Sequence, residues 1–360
     1  EIKPDFSDAY YNLGNILIDL EKSKEAEVCY RKAIKLKPNC AKYYNNLGNL
    51  LLDLGKSEEA EMSQRKAIQL NPNFALAHSN LGNILKELGQ LQEAEISTRK
   101  AIEINPKLAS AHNNLGIILK SIGKLNEAEE SIRKAIEIHG PFADAYSNLG
   151  TILKELGQLK KAENSIRKAI KLKPDFHDAY FNLSLIELLK ESYKSGLDHY
   201  EYRFKKKQPV VILANPKIKR FNERKLNKAE KLLIVSEQGL GDTLQYMRYI
   251  PHLRNQGFDI SFCAQTKLHS LIKSSGIHPN PLTPEKANQC SQGVWIPLLS
   301  LPKYLEVNPE NPIVSKPYIF STNELKQKWK NILSKEKRPI IGINWQGNKE
   351  MEQTYQGRSI

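Results

Sequence analysis

Residues 75–108 read ALAHSNLGNILKELGQLQEAEISTRKAIEINPKL, and close copies of this 34-residue stretch stand on both sides of it. Asn-Leu-Gly recurs at 12–14, 46–48, 80–82, 114–116 and 148–150, and Asn-Leu-Ser follows at 182–184. A fixed period of this length is the signature of a repeat architecture. The sequence therefore predicts five full units, and a degenerate sixth unit that begins at His177. The five full units begin at Ser7, Ala41, Ala75, Ala109 and Ala143.

Two positions of the repeat hold small residues. Position 20, counted from the first residue of each unit, is Ala26, Ala60, Ala94, Ala128, Ala162 and then Gly196. Position 27 is Ala33, Ala67, Ala101, Ala135 and Ala169, and Arg203 breaks this series. Small side chains let two antiparallel helices approach closely, while leucine at position 7 and tyrosine or histidine at position 4 fill the space between them. Each unit is thus predicted to be a pair of antiparallel helices.

Proline closes most of the units, at a point where a helix has to end. These residues are Pro38, Pro72, Pro106 and Pro174. The fourth unit differs, because Gly140-Pro141 places its proline one position late, and we expect a shifted turn there. Taken together, the repeated residues resemble the tetratricopeptide repeat over residues 1–203. The resemblance implies an α-solenoid, a class of fold that commonly binds other proteins.

Asparagine occupies position 6 in every unit, on the helix that the resemblance places along the concave groove. The six residues are Asn12, Asn46, Asn80, Asn114, Asn148 and Asn182. An amide both donates and accepts hydrogen bonds, so a row of amides can pair with the backbone of an extended peptide. The row resembles the asparagine ladder of O-linked N-acetylglucosamine transferase. The alternative is that asparagine is simply common at this position of the repeat.

The charged residues of the repeats suggest no clamp for a peptide's terminal carboxylate. Such a clamp would need lysine or arginine in the groove, and positions 5 and 6 are uncharged in every unit. The charges of the second helices, such as Glu25, Glu27, Arg31 and Lys32 in the first unit, are interpreted as a solvated face.

The composition bears on the partners and the cellular location of the protein. The formal net charge is +14, which favours anionic partners without choosing among them. No apolar run approaches the roughly 20 residues of a membrane span. The four cysteines, Cys29, Cys40, Cys263 and Cys290, have neither disulfide-framework nor zinc-site spacing, so we expect a reducing, cytoplasmic location. The chain starts at Glu1 and not at methionine, which indicates a fragment of a longer protein.

Residues 204–229 are interpreted as a basic linker. Ten lysines or arginines and two glutamates lie between Lys205 and Lys231, interrupted by Pro209 and Pro216. Such a stretch can also make peripheral contact with an anionic membrane surface or an acidic partner. Nucleic acid is not expected, because Phe221 is the only aromatic side chain interleaved with the basic residues and one ring is a poor stacking platform.

From residue 230 to 360 the pattern changes to alternating strands and helices. Buried strands are predicted at 231–235, 259–264, 294–296 and 339–345, and helices at 243–256, 267–275 and 324–333. This alternation indicates a Rossmann-like half domain with a parallel sheet. All three tryptophans, Trp295, Trp329 and Trp345, fall in this part, which favours a core separate from that of the repeats.

The first of these strands leads into Ser236-Glu237-Gln238-Gly239-Leu240-Gly241-Asp242-Thr243. This turn lacks the third glycine of the dinucleotide fingerprint and the Gly-Lys-Ser/Thr end of a P-loop. Together with Pro297-Leu-Leu-Ser-Leu-Pro302, Gly342-Ile-Asn-Trp-Gln-Gly-Asn348 and Arg358-Ser359, it resembles the N-terminal half of heptosyltransferase-like glycosyltransferases. The specific resemblance is to the bacterial type that carries tetratricopeptide repeats in front.

The resemblance implies roles for individual residues. Asp242 would be the general base that takes a proton from an acceptor hydroxyl during transfer from a nucleotide-sugar. Gln238, Gly239 and Gly241 would shape the acceptor wall, with Asn344 and Gln346 near the same cleft. Alternatively, Asp242 is only the N-cap of a helix that starts at Thr243. No metal and no bound cofactor are expected, because the histidines show no ligand spacing.

These enzymes have two such halves, with the nucleotide-sugar held mostly by the second, so this chain alone is expected to be inactive. The competing hypothesis is a pure protein-binding scaffold whose α/β part has lost catalysis.

Overall fold

A computed structural model describes residues 6–222, 226–237, 239–313 and 317–334. Within these residues the chain divides after Pro174 into two compact units, which we call the repeat unit and the mixed unit.

The repeat unit contains ten helices arranged as five antiparallel pairs, as the 34-residue period predicts. They are α1 (Ser7–Asp19), α2 (Ser23–Leu36), α3 (Ala41–Asp53), α4 (Ser57–Leu70), α5 (Ala75–Glu87), α6 (Leu91–Ile104), α7 (Ala109–Ile122), α8 (Leu125–His139), α9 (Ala143–Glu155) and α10 (Leu159–Leu172). Odd-numbered members are the first helices of the pairs and even-numbered members the second. The prediction of a helical solenoid is confirmed for this part of the chain.

The alanines of positions 20 and 27 are completely excluded from solvent in all five pairs. Their burial allows the close helix contact that the sequence predicts, and leucine at position 7 packs beside them. These leucines are buried in the second to fifth pairs, at Leu47, Leu81, Leu115 and Leu149. The core of the repeat unit is therefore assembled from similar contacts in each pair, which stabilise it by burial of apolar surface.

Neighbouring pairs meet differently on their two sides. The first helices α3, α5, α7 and α9 contact one another in succession. Each second helix packs on the first helix of the next pair, and at three of the four joints an arginine of one second helix reaches a glutamate of the next. These ion pairs are Arg31–Glu59 at 2.6 Å, Arg65–Glu93 at 2.6 Å and Arg99–Glu127 at 3.1 Å. Because the first helices lie closer together, they line the inner surface of the solenoid.

The turns within the pairs repeat as well. Position 15 is a glycine with a positive φ in four pairs: Gly55, Gly89, Gly123 and Gly157. In the first pair this position is Glu21, with a φ of 59°. The turn after the fourth pair is displaced as predicted, because α8 continues to His139 and ends at Gly140, which has a φ of 73°.

The mixed unit begins with a sixth helix pair, α11 (His177–Leu189) and α12 (Tyr193–Tyr200), and a short 3₁₀ turn over Glu201–Phe204. The sheet and its connections follow. Their elements are β1 (Lys219–Arg220), β2 (Leu232–Val235), α13 (Leu240–Tyr246), α14 (Tyr249–Asn255), β3 (Ile260–Cys263), α15 (His269–Ser274), α16 (Pro284–Asn288), β4 (Val294–Pro297), α17 (Leu301–Tyr304) and α18 (Asn323–Leu333).

The four strands form one small parallel sheet in the order β1-β4-β2-β3. β2 is buried along its whole length, as expected of a strand covered on both faces. One side of the sheet packs on the cluster around Ile234, Phe262 and Ile296, and the other on the cluster around Leu233, Val235 and Trp295. The predicted parallel strands at β2, β3 and β4 are confirmed.

The segment predicted as a linker, 204–229, contains structure that its composition did not indicate. β1 pairs with β4, and Ala214 and Phe221 are buried in the two clusters that flank the sheet. The predicted helix at 243–256 is divided into α13 and α14 and begins earlier, at Leu240. The strand predicted at 339–345 lies outside the described residues. Within the described part, no helix is long and apolar enough to cross a membrane.

Candidate functional site

The asparagine row lies on the first helices of the repeat unit. Asn12 is exposed, and Asn46, Asn80, Asn114 and Asn148 are half-buried. Asn182 stands at the same repeat position on α11 of the mixed unit and is also half-buried. Within the repeat unit, residues of one type at one position on successive first helices share the inner surface of the solenoid.

Four of these amides bind the preceding repeat. Asn80 Nδ2 donates to Asn45 Oδ1 at 2.9 Å, and Asn148 Nδ2 donates to Asn113 Oδ1 at 2.9 Å. The amide of Asn114 does the same with Ser79 Oγ at 3.1 Å. In each case the acceptor is position 5 of the preceding unit.

Asn46 follows this rule and adds further bonds. Its Nδ2 donates to Tyr11 Oη at 2.9 Å and Asn15 Oδ1 at 3.1 Å, and its Oδ1 accepts from Asn45 at 3.1 Å. The asparagine row therefore joins neighbouring repeats by hydrogen bonds.

The remaining bonding capacity differs along the row. A carboxamide has two N–H donors and a carbonyl oxygen with two lone pairs. Among the described residues, Asn80 and Asn148 use one N–H each in the contacts given above, which leaves a donor and the oxygen for an outside group. Asn114 Nδ2 donates to both Oγ and the carbonyl oxygen of Ser79, at 3.1 and 3.4 Å, which leaves its oxygen. Asn46 uses both donors and its oxygen, so it has the least to offer a ligand.

Position 5 was missed at the sequence level as a functional position. It holds Tyr11, Asn45, Ser79 and Asn113 in the first four units, all of which carry a hydrogen-bonding group. The sequence does show these polar residues, each directly before an asparagine of the row. The partner of a position 5 side chain is the asparagine of the next unit, so its use becomes visible only when adjacent repeats are placed together.

The turn after β2 carries the other candidate residues. Gly239 is the N-cap of α13, and Asp242 lies in the first turn of that helix with an exposed side chain. The interpretation of Asp242 as the N-cap of a helix from Thr243 is therefore wrong, because the helix begins three residues earlier. A Cβ atom on Gly239 would stand 3.0 Å from Asp242 Cγ, so glycine is what allows the carboxylate to fold back over the turn. Gln238 lies outside the described residues.

Two side chains hold this turn in place from the neighbouring strand and helix. Gln265 Nε2 donates to the carbonyl oxygen of Glu237 at 2.7 Å, and Thr243 Oγ1 lies 3.0 Å from both Gln265 Oε1 and the carbonyl oxygen of Gly239. Gln265 follows β3 and was not identified from the sequence. The side chains of Gln265 and Thr243 thus hold the turn through hydrogen bonds to its backbone carbonyl oxygens.

A buried ion pair lies beside the turn. The guanidinium of Arg203 binds Glu237 through two hydrogen bonds, Nε to Oε2 at 3.0 Å and Nη2 to Oε1 at 2.8 Å. Arg203 is 1% exposed and Glu237 3%. Burial by itself lowers the pKa of Arg203, but the hydrogen bond and charge of Glu237, followed by the charge of Glu201, raise it overall. The guanidinium also lies over the ring of Tyr200, whose own pKa burial raises to about 12.

The structure describes only some of the other predicted features. Asn344 and Gln346 lie outside the described residues. In the basic segment, Arg220 pairs with Glu201 at 3.0 Å, and Lys205 lies over the ring of Tyr202. Contact of this segment with an anionic membrane surface stays a prediction. The described residues contain no group of three His, Cys, Asp or Glu side chains placed to hold a metal ion.

Comparison with protein families finds tetratricopeptide repeats at residues 7–40, 41–74, 75–108, 98–130 and 143–176. The N-terminal part of the chain is therefore composed of tetratricopeptide repeats. No curated protein sequence matches the chain.

Among solved structures, the APC/C hetero-tetramer Cut9-Hcn1 is similar with a TM-score of 0.54 and 16% identity over 57% of this chain. This chain covers 41% of that one, less than half of its length, so the likeness concerns the fold of the repeats. A tetratricopeptide-repeat protein of Thermus thermophilus has a TM-score of 0.47 and 20% identity, over 51% of this chain and 99% of its own. YrrB, described as having an unusual peptide-binding site, has a TM-score of 0.37 and 23% identity, over 49% and 91% of the two chains.

Proposed function

We propose that the chain is a protein-binding scaffold whose inner surface takes an extended peptide along the asparagine row. The observation that carries this proposal is the row itself: half-buried amides at one position of successive first helices, of which Asn80 and Asn148 keep an N–H and a carbonyl oxygen for an outside partner and Asn114 keeps its carbonyl oxygen. These two groups are complementary to the C=O and N–H of a peptide backbone. Recognition of this kind tolerates many side chains, because the backbone is the same in every peptide.

The inter-repeat hydrogen bonds supply a matched pair of variants for the test. Asn114→Ala removes both the bond to Ser79 and the amide offered to the peptide. Ser79→Ala removes the side-chain acceptor of that bond but leaves the amide of Asn114 in place. Each variant is expected to lose about 0.5–1.5 kcal/mol of stability, the usual contribution of one hydrogen bond.

Binding then separates the two roles. The probe is a random-sequence peptide selected for binding to the parent chain, and its affinity is measured by isothermal titration calorimetry. We expect Asn114→Ala to bind more weakly than the parent and Ser79→Ala to bind about as well. Equal affinities of the two variants would show that the amide only joins repeats, and the ladder proposal would fall.

The second candidate is a glycosyltransferase-like activity of the mixed unit, and the order of the parallel strands favours it. With β3 on one side of β2 and β4 on the other, the carboxyl ends of β2 and β4 form a switch point, where ligands bind in open α/β sheets. In this proposal the Rossmann-like sheet carries Asp242 as general base, acting on an acceptor during transfer from a nucleotide-sugar. Gln238, Gly239, Gly241, Asn344 and Gln346 would line the site.

The test uses the complete protein as its host produces it, assayed for sugar transfer from a panel of uridine, guanosine, adenosine and cytidine nucleotide-sugars. Loss of a positioned general base lowers the rate by a factor of about 10² to 10⁴, and Asp242→Asn is expected to fall in this range with an unchanged melting temperature. Asp259→Asn, an exposed aspartate before β3, is the control. Turnover of Asp242→Asn within a few-fold of the parent would show that Asp242 is not the general base. If the parent transfers no sugar, the glycosyltransferase proposal is wrong and only the scaffold proposal remains. A cytoplasmic location is part of both proposals.

A further inference from the structure

The carboxyl ends of β2 and β4 are bridged by one side chain. Glu237 follows the end of β2 by two residues, and Ser300 follows the end of β4 by three. Arg203 reaches both, because Nη2 donates to Glu237 Oε1 and to Ser300 Oγ, each at 2.8 Å. The guanidinium therefore stands at the place in the sheet where open α/β folds bind their ligands.

All five N–H donors of this guanidinium have acceptors. Nε and Nη2 serve Glu237 and Ser300 as described, and Nη1 donates to Glu201 Oε1 at 2.7 Å and to the carbonyl oxygen of Tyr200 at 3.1 Å. A guanidinium has five N–H groups in a fixed planar arrangement, so the surrounding acceptors match its full geometry.

The acceptors are themselves held by further bonds. Ser300 Oγ donates to Glu201 Oε1 at 2.7 Å, and Arg220 binds the other oxygen of Glu201 at 3.0 Å. Glu201 and Ser300 thus fix each other beside the guanidinium, and Glu237 is held through its backbone, whose carbonyl oxygen accepts from Gln265. Arg203 also departs from the repeat pattern, since the same position is alanine in the five units before it.

We propose that the crevice at the ends of β2 and β4 is a guanidinium-binding site that the chain fills with its own Arg203. The side chain is an internal plug, and another group can take the place between Glu237, Glu201 and Ser300 only when Arg203 leaves it. This proposal goes beyond the peptide-binding function and holds whether or not the mixed unit is an enzyme. A crevice of this kind takes a planar cation with several donors and discriminates against a simple ammonium group.

Chemical rescue tests the proposal on the full chain. Arg203→Ala is expected to unfold at a lower temperature than the parent, and added methylguanidinium is expected to raise that temperature in a saturable way, as a ligand of the folded state does. Methylammonium at the same concentration should not produce this rise. Neither the parent nor the double variant Arg203→Ala with Glu237→Gln should respond to methylguanidinium. Absence of a saturable rise in Arg203→Ala, or an equal rise in the parent, would overturn the proposal.

A second measurement covers the case in which Arg203→Ala fails to fold. In the parent, the Nε–H of Arg203 is expected to exchange with solvent more slowly than that of the exposed Arg254, as followed by nitrogen-edited NMR of the arginine side chains. Ser300→Ala removes a single acceptor and should speed this exchange, whereas Ser275→Ala, remote from the crevice, should leave it unchanged. Exchange of Arg203 as fast as that of Arg254 would mean that the crevice is open and the plug does not exist.

Discussion

The side chain of Ile132 fills the space that a Cβ atom on Gly116 would need. Such an atom would lie 2.5 Å from Ile132 Cγ1 and 3.1 Å from the carbonyl oxygen of Ala128. Glycine in the middle of a helix normally lowers the stability of the helix. Its presence at this position of α7 therefore reflects the close approach of α8. The same relation recurs between Gly150 and Ile166 one repeat later.

Gly116→Ala is therefore expected to destabilise the repeat unit by about 1–3 kcal/mol, as overpacking does, despite the better helix propensity of alanine. Urea unfolding followed by circular dichroism measures the loss. The control is the same change made in an Ile132→Ala background, where only the contact with the carbonyl oxygen of Ala128 remains and the added methyl group should cost much less. Equal losses in both backgrounds would contradict the packing explanation.

Glu21→Gly should stabilise the chain. Glu21 has a positive φ at a turn position where four other repeats have glycine, and a side chain in that conformation is strained. We expect a gain of about 1 kcal/mol in the free energy of unfolding, seen as a higher midpoint in urea. The reverse change, Gly89→Glu, should lose a similar amount, because a Cβ atom there meets no neighbour within 4 Å and only the backbone conformation matters. The prediction fails unless Glu21→Gly raises the free energy of unfolding and Gly89→Glu lowers it.

Glu237→Gln should be far more damaging than the removal of an exposed charge. Losing one partner of a buried ion pair typically costs about 3–5 kcal/mol, whereas exposed pairs contribute about 0–1 kcal/mol. The exposed pair of Asp198 with Lys303, 2.8 Å apart in the same mixed unit, supplies the control Asp198→Asn. Tryptophan fluorescence in guanidinium chloride follows the loss, since no tryptophan occurs before residue 295. Similar midpoints for the two variants would refute a structural role for the buried pair.

Acid should weaken the joint between the first two repeats. Tyr43 Oη donates to Asp8 Oδ1 at 2.7 Å, and this bond, followed by one from Lys42, lowers the pKa of Asp8. A carboxyl group whose folded pKa is lowered stabilises the fold above its unfolded pKa of about 3.9, and that contribution is lost as the pH falls below about 4. Tyr43→Phe removes the largest cause, so the Asp8 titration followed by carbon NMR should shift upward. An unchanged titration would show that Lys42 alone sets the pKa.

The repeats could be predicted almost completely from the sequence, because each helix pair is defined by contacts within 34 residues. Ala94 and Ala101, for example, are buried for the reason that their spacing indicates. The bonds between repeats could not be predicted in the same way. That Asn114 meets Ser79 depends on the offset between two neighbouring first helices, which no local pattern encodes.

The mixed unit shows the same limit more strongly. Its buried strands were recognisable as apolar runs, but β1 is two residues long, Lys219 and Arg220, and gives no strand signal. Arg203 was visible only as an interruption of the alanine series. Its partners, Glu237 and Ser300, lie 34 and 97 residues further along the chain, so the network exists only after the sheet has formed.

Position 27, which is alanine in the five pairs of the repeat unit and arginine in the sixth pair, determines where the protein can change its length. Between Ser7 and Leu172 the helix pairs and their buried alanines recur at the same spacing, so a whole 34-residue unit can be duplicated or deleted with the helix packing kept. The sixth pair cannot be copied in this way, because a second Arg203 would arrive without its own glutamate and serine. Evolution can therefore lengthen or shorten the inner surface of the solenoid one repeat at a time, while the last pair and the sheet are inherited together.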